Sequence, residues 1–409
     1  MLEFYSASST AVNSKRAMSE CLEMALENEN NLDCDLIILY TTIGHNFKDL
    51  LSEAHRISPG AQIVGCTCAG IISKETVSEA MRALAIMAIK GDRNEFAIAY
   101  DSSRTRQNPF ELGSKIAQDL KKKNAGINMI HYTIGWPSLE EIQNMTTTWQ
   151  DTVIAGIESV FGPEVPIFGG VSLDNMKLIN NFQFVNDQVI ERGAVAVGFA
   201  DPTLELVSQA NHGFDVVGSP FEVTRSEVAI LLELDGQPAG PFIHEKLGLL
   251  KKTSVVEAMQ ITLFVGELPS QYHQEYGSSY IVHGLPLVNP DTSITLVRKT
   301  PQGMKFWLAK HDEEKIFSGL DKMMGDIVKR CDGRKPLAVF HADCAFRGKI
   351  SFNKILKEEL VGHMQYPLCK DEGIPWLGMY SGGEYAMLGG RNFFHIFTTS
   401  LNVILRRES

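Results

Sequence analysis

An internal repeat restricts this sequence more than any other feature: strand-like run, amphipathic helix, short strand, glycine turn and apolar strand recur three times in that order. The first copy opens on Asp35-Leu36-Ile37-Ile38-Leu39-Tyr40, places Phe47, Leu50, Leu51, Ala54 and Ile57 at helical spacing, then reads Ile63-Val64-Gly65-Cys66 before the apolar run from Ala83 to Ile89. The second begins at Met129-Ile130-His131-Tyr132-Thr133-Ile134 and continues with Val153, Ile157, Val160 and Phe161. It then reads Pro166-Ile167-Phe168-Gly169-Gly170 and closes on Ala194 to Phe199. The third runs Leu337-Ala338-Val339-Phe340-His341, then Phe352, Ile355, Leu356 and Leu360, then Pro375-Trp376-Leu377-Gly378, then Phe393 onward to Ile404. Gly65, Gly169 and Gly378 occupy matching places.

Each copy predicts strand, helix, strand, turn, strand, so helices should cover one face of mixed sheets in an α+β fold of two interlocked lobes. A glycine after a buried strand permits positive φ and the close approach of another backbone or a ligand. Three such turns either converge on one cavity or serve as tight strand exits in a packed core. Between the second and third copies, Val228 to Leu234 followed by Asp235-Gly236 predicts a strand and a tight turn. A helix is expected about His244 to Leu250. A strand pair, Tyr280–Val282 and Ser293–Val297, flanks the turn-prone Val288-Asn289-Pro290-Asp291. Asp101 to Pro109 reads as a surface connection. The lobe boundary is expected between residues 222 and 223.

A chain of 409 residues is long enough for two lobes, since one core rarely grows past about 250–300 residues. The net charge of −11 argues against nucleic acid or an anionic membrane as partner. The basic run Lys121-Lys122-Lys123 falls near a helix end, where cations offset the dipole. No stretch approaches the roughly 20 apolar residues a bilayer requires, and the first residues do not read as a leader; no membrane insertion and a cytoplasmic location are expected. The seven cysteines are odd in number and irregular in spacing, which predicts thiols rather than a disulfide framework.

Several separated segments resemble the FIST family in both its amino-terminal and carboxy-terminal modules. Ile63-Val64-Gly65-Cys66-Thr67-Cys68-Ala69-Gly70 and Phe168-Gly169-Gly170-Val171-Ser172-Leu173-Asp174 are similar to two of its glycine turns. Val217 to Thr224 and Glu233 to Ala239 resemble the junction of its modules; His341-Ala342-Asp343-Cys344-Ala345-Phe346-Arg347-Gly348 and Gly382-Gly383-Glu384-Tyr385, with His395 and Thr398-Thr399, resemble its carboxy-terminal segments. Ile71 stands where many members carry Glu, and Ala342-Asp343 where a Ser-containing step is usual. The resemblance implies an intracellular sensor of small molecules such as amino acids. Its FIST N-type module would span 1–222 and a FIST C-type module carrying the pocket 223–409. Signalling would run in trans to a partner such as a histidine kinase or a cyclic-di-nucleotide enzyme.

Ligand-binding candidates are Cys344, Arg347, Gly382, Gly383, Glu384 and Tyr385, with Gly65, Cys66, Gly169 and Gly170 from the earlier turns. A cation three residues from Cys344 would depress its thiol pKa and anchor a ligand carboxylate, while Glu384 would accept an ammonium. The plainer alternative pairs Arg347 with Asp343 or Glu384 inside a packed core. Cys66 and Cys68 lack a second ligand pair, so they read as core cysteines and no metal site is predicted. Non-covalent haem, as in a nitric oxide sensor, is the competing cofactor reading, with His341 and His395 as candidate axial ligands. No Gly-x-Ser-x-Gly, His-Glu-x-x-His, phosphate-loop or dinucleotide motif is present, and no catalytic residue is assigned. A protein-binding scaffold and a Cys-dependent enzyme using Cys344 are the remaining classes.

Overall fold

Each repeat folds as strand, helix, strand, helix, strand, β-hairpin and closing strand, one leading strand and helix longer than the pattern predicts. The computed structural model describes residues 1–74, 76–102, 108–137, 149–246, 263–285, 288–369 and 373–408. The first unit comprises β1 (Glu3–Ser9), α1 (Ser14–Ala25), β2 (Leu36–Thr41), α2 (Phe47–Ile57), β3 (Gln62–Thr67), the hairpin β4 (Gly70–Ser73) and β5 (Thr76–Ser78), and β6 (Leu84–Lys90). The second comprises β7 (Phe96–Asp101), α3 (Pro109–Lys123), β8 (Met129–Gly135), α4 (Trp149–Phe161), β9 (Ile167–Ser172), the hairpin β10 (Phe182–Val185) and β11 (Gln188–Glu191), and β12 (Ala194–Phe199).

The third unit starts with β13 (Leu204–Asn211) and is interrupted by an insertion: β14 (Phe214–Glu227), β15 (Ile230–Leu234), β16 (Gln237–Pro238), α5 (Ala239–Lys246), β17 (Leu263–Glu267), α6 (His273–Tyr276), β18 (Tyr280–Gly284), β19 (Ile294–Thr295) and β20 (Lys305–His311). It resumes with α7 (Glu313–Cys331), β21 (Ala338–Cys344), α8 (Lys354–Cys369), β22 (Trp376–Ser381), the hairpin β23 (Glu384–Leu388) and β24 (Arg391–His395), and β25 (Thr399–Arg406).

The hairpins are exchanged in a ring. The first sheet runs β1-β6-β2-β3 and ends with the second unit's β10-β11; the second runs β7-β12-β8-β9 and ends with the third unit's β23-β24; the third runs β13-β25-β21-β22 and ends with the first unit's β4-β5. Central pairs β2/β3, β8/β9 and β21/β22 are parallel, which is why each needs a helical crossover, and their other neighbours are antiparallel. This is the mixed-sheet α+β arrangement that the repeat predicts. Burial on both faces explains the continuous apolar runs: Ile37 and Leu39 pack under α1 and α2, while Leu36, Ile38 and Tyr40 join Met129, Phe168, Phe340 and Leu377 in one core shared by all three units. Asn13, Asn46 and Asn108 cap α1, α2 and α3 by accepting from Arg16, Asp49 and Glu111 backbone N–H groups.

The insertion folds into its own sheet, β16-β15-β14-β20-β17-β18, around Phe221, Phe242, Phe264 and Phe306. Asp235 (φ 48°) and Gly236 (φ 76°) form the expected tight turn, both left-handed. Two local expectations change. The helix begins at Ala239 and is described to Lys246, with 247–250 outside the described residues. Strands β18 and β19 do not pair with each other: β18 pairs with β17 and β19 with β15, while the turn at Asn289–Thr292 closes a bridge between Val288 and Ile294. Of the expected 101–109 connection, residues 103–107 lie outside the described residues. Residues 222 and 223 both lie within β14, and β13 pairs along its length with β25. Lys121–Lys123 occupy the last turn of α3, with Lys121 Nζ donating to the Val160 carbonyl at 2.7 Å.

Candidate functional site

The three glycine turns meet. Gly65, Gly169 and Gly378 lie opposite Leu39, Tyr132 and His341 in the parallel pairs, so they are equivalent in register as well as in sequence. A Cβ on Gly65 would stand 2.1 Å from the Leu39 carbonyl oxygen, and one on Gly169 (φ +122°) 2.3 Å from that of Tyr132. Their immediate role is close contact between strands. Two residues further along, Thr67, Val171 and Tyr380 accept backbone hydrogen bonds from Leu173 (3.3 Å), Gly382 (2.8 Å) and Ala69 (3.0 Å) respectively. Each bond joins one unit to another, and together they close a pseudo-threefold ring. Gly170 and Gly383 abut within it, with Met379 and Ser381 filling the adjacent space. Cys66 is sealed beside Met379, and burial pushes its thiol up to about 12.

Beyond the ring, the third unit carries a buried ionisable cluster. A single 3-10 turn after β21 (Ala345–Arg347) folds Arg347 back over the preceding strand end. Its Nε donates to Asp343 Oδ1 at 2.8 Å and its Nη1 to the His212 carbonyl at 3.0 Å, while Nη2 is buried without a partner. Arg347 is 1% exposed. Burial holds Asp343 above its ordinary value even with the guanidinium opposing. Glu384 is wholly buried and accepts from Thr398 Oγ1 at 2.6 Å and Ser381 Oγ at 3.0 Å. Burial pushes it well above the usual carboxylate range, against the Thr398 hydrogen bond, and the Asp343 charge adds to the rise. Its burial therefore favours the protonated carboxyl over the carboxylate. Arg347 takes Asp343 as its acid, leaving Glu384 to hydroxyls.

The expectation that Arg347 lowers the Cys344 pKa is corrected. Burial, with the acidic Glu384 alongside, drives that thiol well above its ordinary value, and its backbone N–H is spent on the Thr398 carbonyl at 2.9 Å. Tyr385 donates to Gln150 Oε1 on α4, and Gly382 packs against Trp136 and Leu173.

Buried histidines border this cluster. His212, to which the sequence analysis assigns no role, supplies the carbonyl for Arg347, and its ring lies 5.2 Å from that of Tyr276. Tyr276 in turn stacks on His395 at 5.6 Å, and His395 is the cross-strand partner of Glu384. Burial holds His212, His311, His341 and His395 down to about 3, so all four rings are neutral. The Tyr276 hydroxyl, His311 Nδ1 and both nitrogens of His395 are buried without a well-formed hydrogen bond, although the Ala386 backbone lies near His395. With Arg347 Nη2 they concentrate unmet polar capacity where β21, β23-β24 and the insertion meet. Gly213 (φ 71°), beside His212, was the sequence sign of a sharp bend there.

The haem expectation meets packed rings. His341 Nε2 is bonded to Thr399 Oγ1 at 2.8 Å with Trp376 edge-on, and His395 lies between Tyr276 and Phe393. As packed, these residues do not fit a macrocycle at either imidazole. Among the described residues no group of three or more His, Cys, Asp or Glu side chains is arranged to hold a metal ion, and no helix is long and apolar enough to cross a membrane.

A model of the FIST N domain matches residues 35–237 and one of the FIST C domain matches 242–387. The chain belongs to the FIST family, whose domains are associated with sensing small ligands in signal transduction. Among its relatives, the uncharacterized protein Rv0628c of Mycobacterium tuberculosis is 24% identical over 414 residues, covering 96% of this chain and 97% of that protein. The uncharacterized protein Mb0898c of Mycobacterium bovis is 26% identical over 251 residues, covering 58% of this chain and 60% of its own length. A crystal structure of a cyanuric acid hydrolase from A. caulinodans aligns over 100% of both chains at a TM-score of 0.36 and 7% identity, a likeness too distant to bear on function.

Proposed function

We propose that this chain is a non-catalytic sensor that binds a small polar metabolite of amino-acid type where the third unit's strand ends meet the insertion. The observation that carries this reading is the buried Arg347 Nη2, a cationic donor without an acceptor, among neutral polar groups in the same position. A ligand carboxylate would complete the guanidinium fork, and a ligand amine would meet Glu384, taking its proton or donating to it. Cys344, Gly382, Gly383 and Tyr385 border the same cluster, with Gly65, Cys66, Gly169 and Gly170 behind it in the ring. Because Arg347 and Glu384 are buried, admission requires the insertion to part from the strand ends. Binding would therefore shift the population between two arrangements, which a partner in trans such as a histidine kinase or a cyclic-di-nucleotide enzyme reads.

Calorimetric titration of the common amino acids into the wild-type chain, Arg347→Lys and Glu384→Gln tests this. Loss of a charged hydrogen bond should weaken binding by about 10- to 100-fold in each variant. Undiminished affinity in both refutes the clamp.

A further inference from the structure

A second buried guanidinium lies on the insertion side of that cluster, close enough for its charge to act on His395 and Tyr276. Arg298, 8% exposed, donates through Nε to the Val282 carbonyl at 3.0 Å. Its Nη1 stands 3.6 Å from Asp151 Oδ1, too far for a hydrogen bond, and its Nη2 has no partner. His283, the residue after Val282 on β18, is 4% exposed and its Nδ1 is likewise unpaired. Burial first, and Arg298 second, hold His283 down to about 3, so the ring is neutral and one tautomer presents an N–H at Nδ1.

Both side chains line one cleft of about 500 Å³ between α4, the insertion sheet and the β23-β24 hairpin. Leu268, Ile281, Met304 and Phe393 contribute apolar surface to it, and Lys299 stands exposed at the mouth. An unpaired, desolvated guanidinium arm on a residue that lines an open cleft becomes a receptor for a planar anion when the side chain turns into it. The apolar walls favour an organic acid over inorganic phosphate, as do Asp151 and Glu267 at the rim, which would repel a dianion.

We propose that this cleft is a binding site for a small aliphatic carboxylate. The carboxylate bridges Arg298 Nη1 and Nη2 as the loose Asp151 contact yields, His283 Nδ1–H donates a third bond, and the hydrocarbon part lies against Ile281 and Phe393. The residues lining this cleft are not the hydrogen-bond partners of Arg347, so Arg298→Gln tests it separately from the amino-acid reading.

Titration calorimetry of the full chain at low ionic strength, with butyrate and with inorganic phosphate as probes, is the test. Butyrate should bind saturably, Arg298→Gln should weaken it at least tenfold, and phosphate should bind at least tenfold more weakly than butyrate. Lys299→Glu, on an exposed side chain that the fold does not need, should weaken butyrate severalfold, and it keeps the test decisive if Arg298→Gln does not fold. Absence of saturable butyrate binding at millimolar concentration overturns the proposal. So does equal butyrate affinity in the wild type and the folded variants, or phosphate binding as tight as butyrate.

Discussion

Arg347 and Asp343 form an ion pair sealed from solvent, with Nε donating to Oδ1 at 2.8 Å and the second acceptor coming from the His212 carbonyl across the start of the insertion. Removing the cation strands a buried carboxylate, which typically costs about 3–5 kcal/mol. Arg347→Met should lose that much in urea denaturation, and Arg347→Met combined with Asp343→Leu should recover most of it. A loss below about 1 kcal/mol would place the pair among exposed bridges.

Glu384 sets a pH dependence whose sign follows from its raised pKa. The folded state holds its proton longer than the unfolded chain, so the stabilisation is complete below the unfolded carboxyl pKa and is lost as pH rises from there toward the folded value. Wild-type stability, measured by urea melts between pH 5 and pH 9, should therefore fall with rising pH more steeply than that of Glu384→Gln. Parallel curves would contradict a raised Glu384 pKa.

Two glycine substitutions should act in opposite directions. Gly169→Ala forces a side chain into left-handed backbone and onto the Tyr132 carbonyl, and the backbone term alone costs about 1–3 kcal/mol. Gly325, exposed on α7 with nothing near its missing Cβ, should gain roughly 0.5–1 kcal/mol on Gly325→Ala. Thermal melts that rank the two variants the other way would contradict the strand contacts assigned to the ring.

Thiol reactivity separates the cysteines. Cys344 is buried and neutral, whereas Cys369 at the end of α8 is partly exposed. Brief maleimide labelling of the native chain, read by peptide mass spectrometry, should modify Cys369 first and leave Cys344 unmodified. Rapid labelling of Cys344 would restore a thiolate there.

The repeat was legible because buried parallel strands read as unbroken apolar runs and crossover helices show their own period; Leu36–Tyr40 beside Leu50, Leu51 and Ala54 is the plainest case. The leading pairs, such as β1 with α1, escaped notice because Glu3–Ser9 is an edge strand in which Glu3, Ser6, Ser8 and Ser9 interrupt the apolar signal. Hairpin exchange was not legible at all: Gly70 pairs with Tyr380 through contacts more than three hundred residues apart, which no local pattern announces. At the site, the short i to i+4 spacing made Asp343 a visible partner for Arg347. Tyr276, His212 and Arg298 are brought near the carboxy-terminal cluster only by the insertion folding back, and their spacing carried no sign of it.

The central claim is that the polar groups around Arg347 hold a small molecule. Native mass spectrometry of the intact purified chain, with an absorption spectrum of the same sample, tests it most directly. A discrete adduct of metabolite mass, released on denaturation, reduced in Arg347→Lys and without a Soret band, is the predicted result. A bare chain that acquires no adduct on incubation with an amino-acid mixture, or a Soret band that persists in Arg347→Lys, would contradict it.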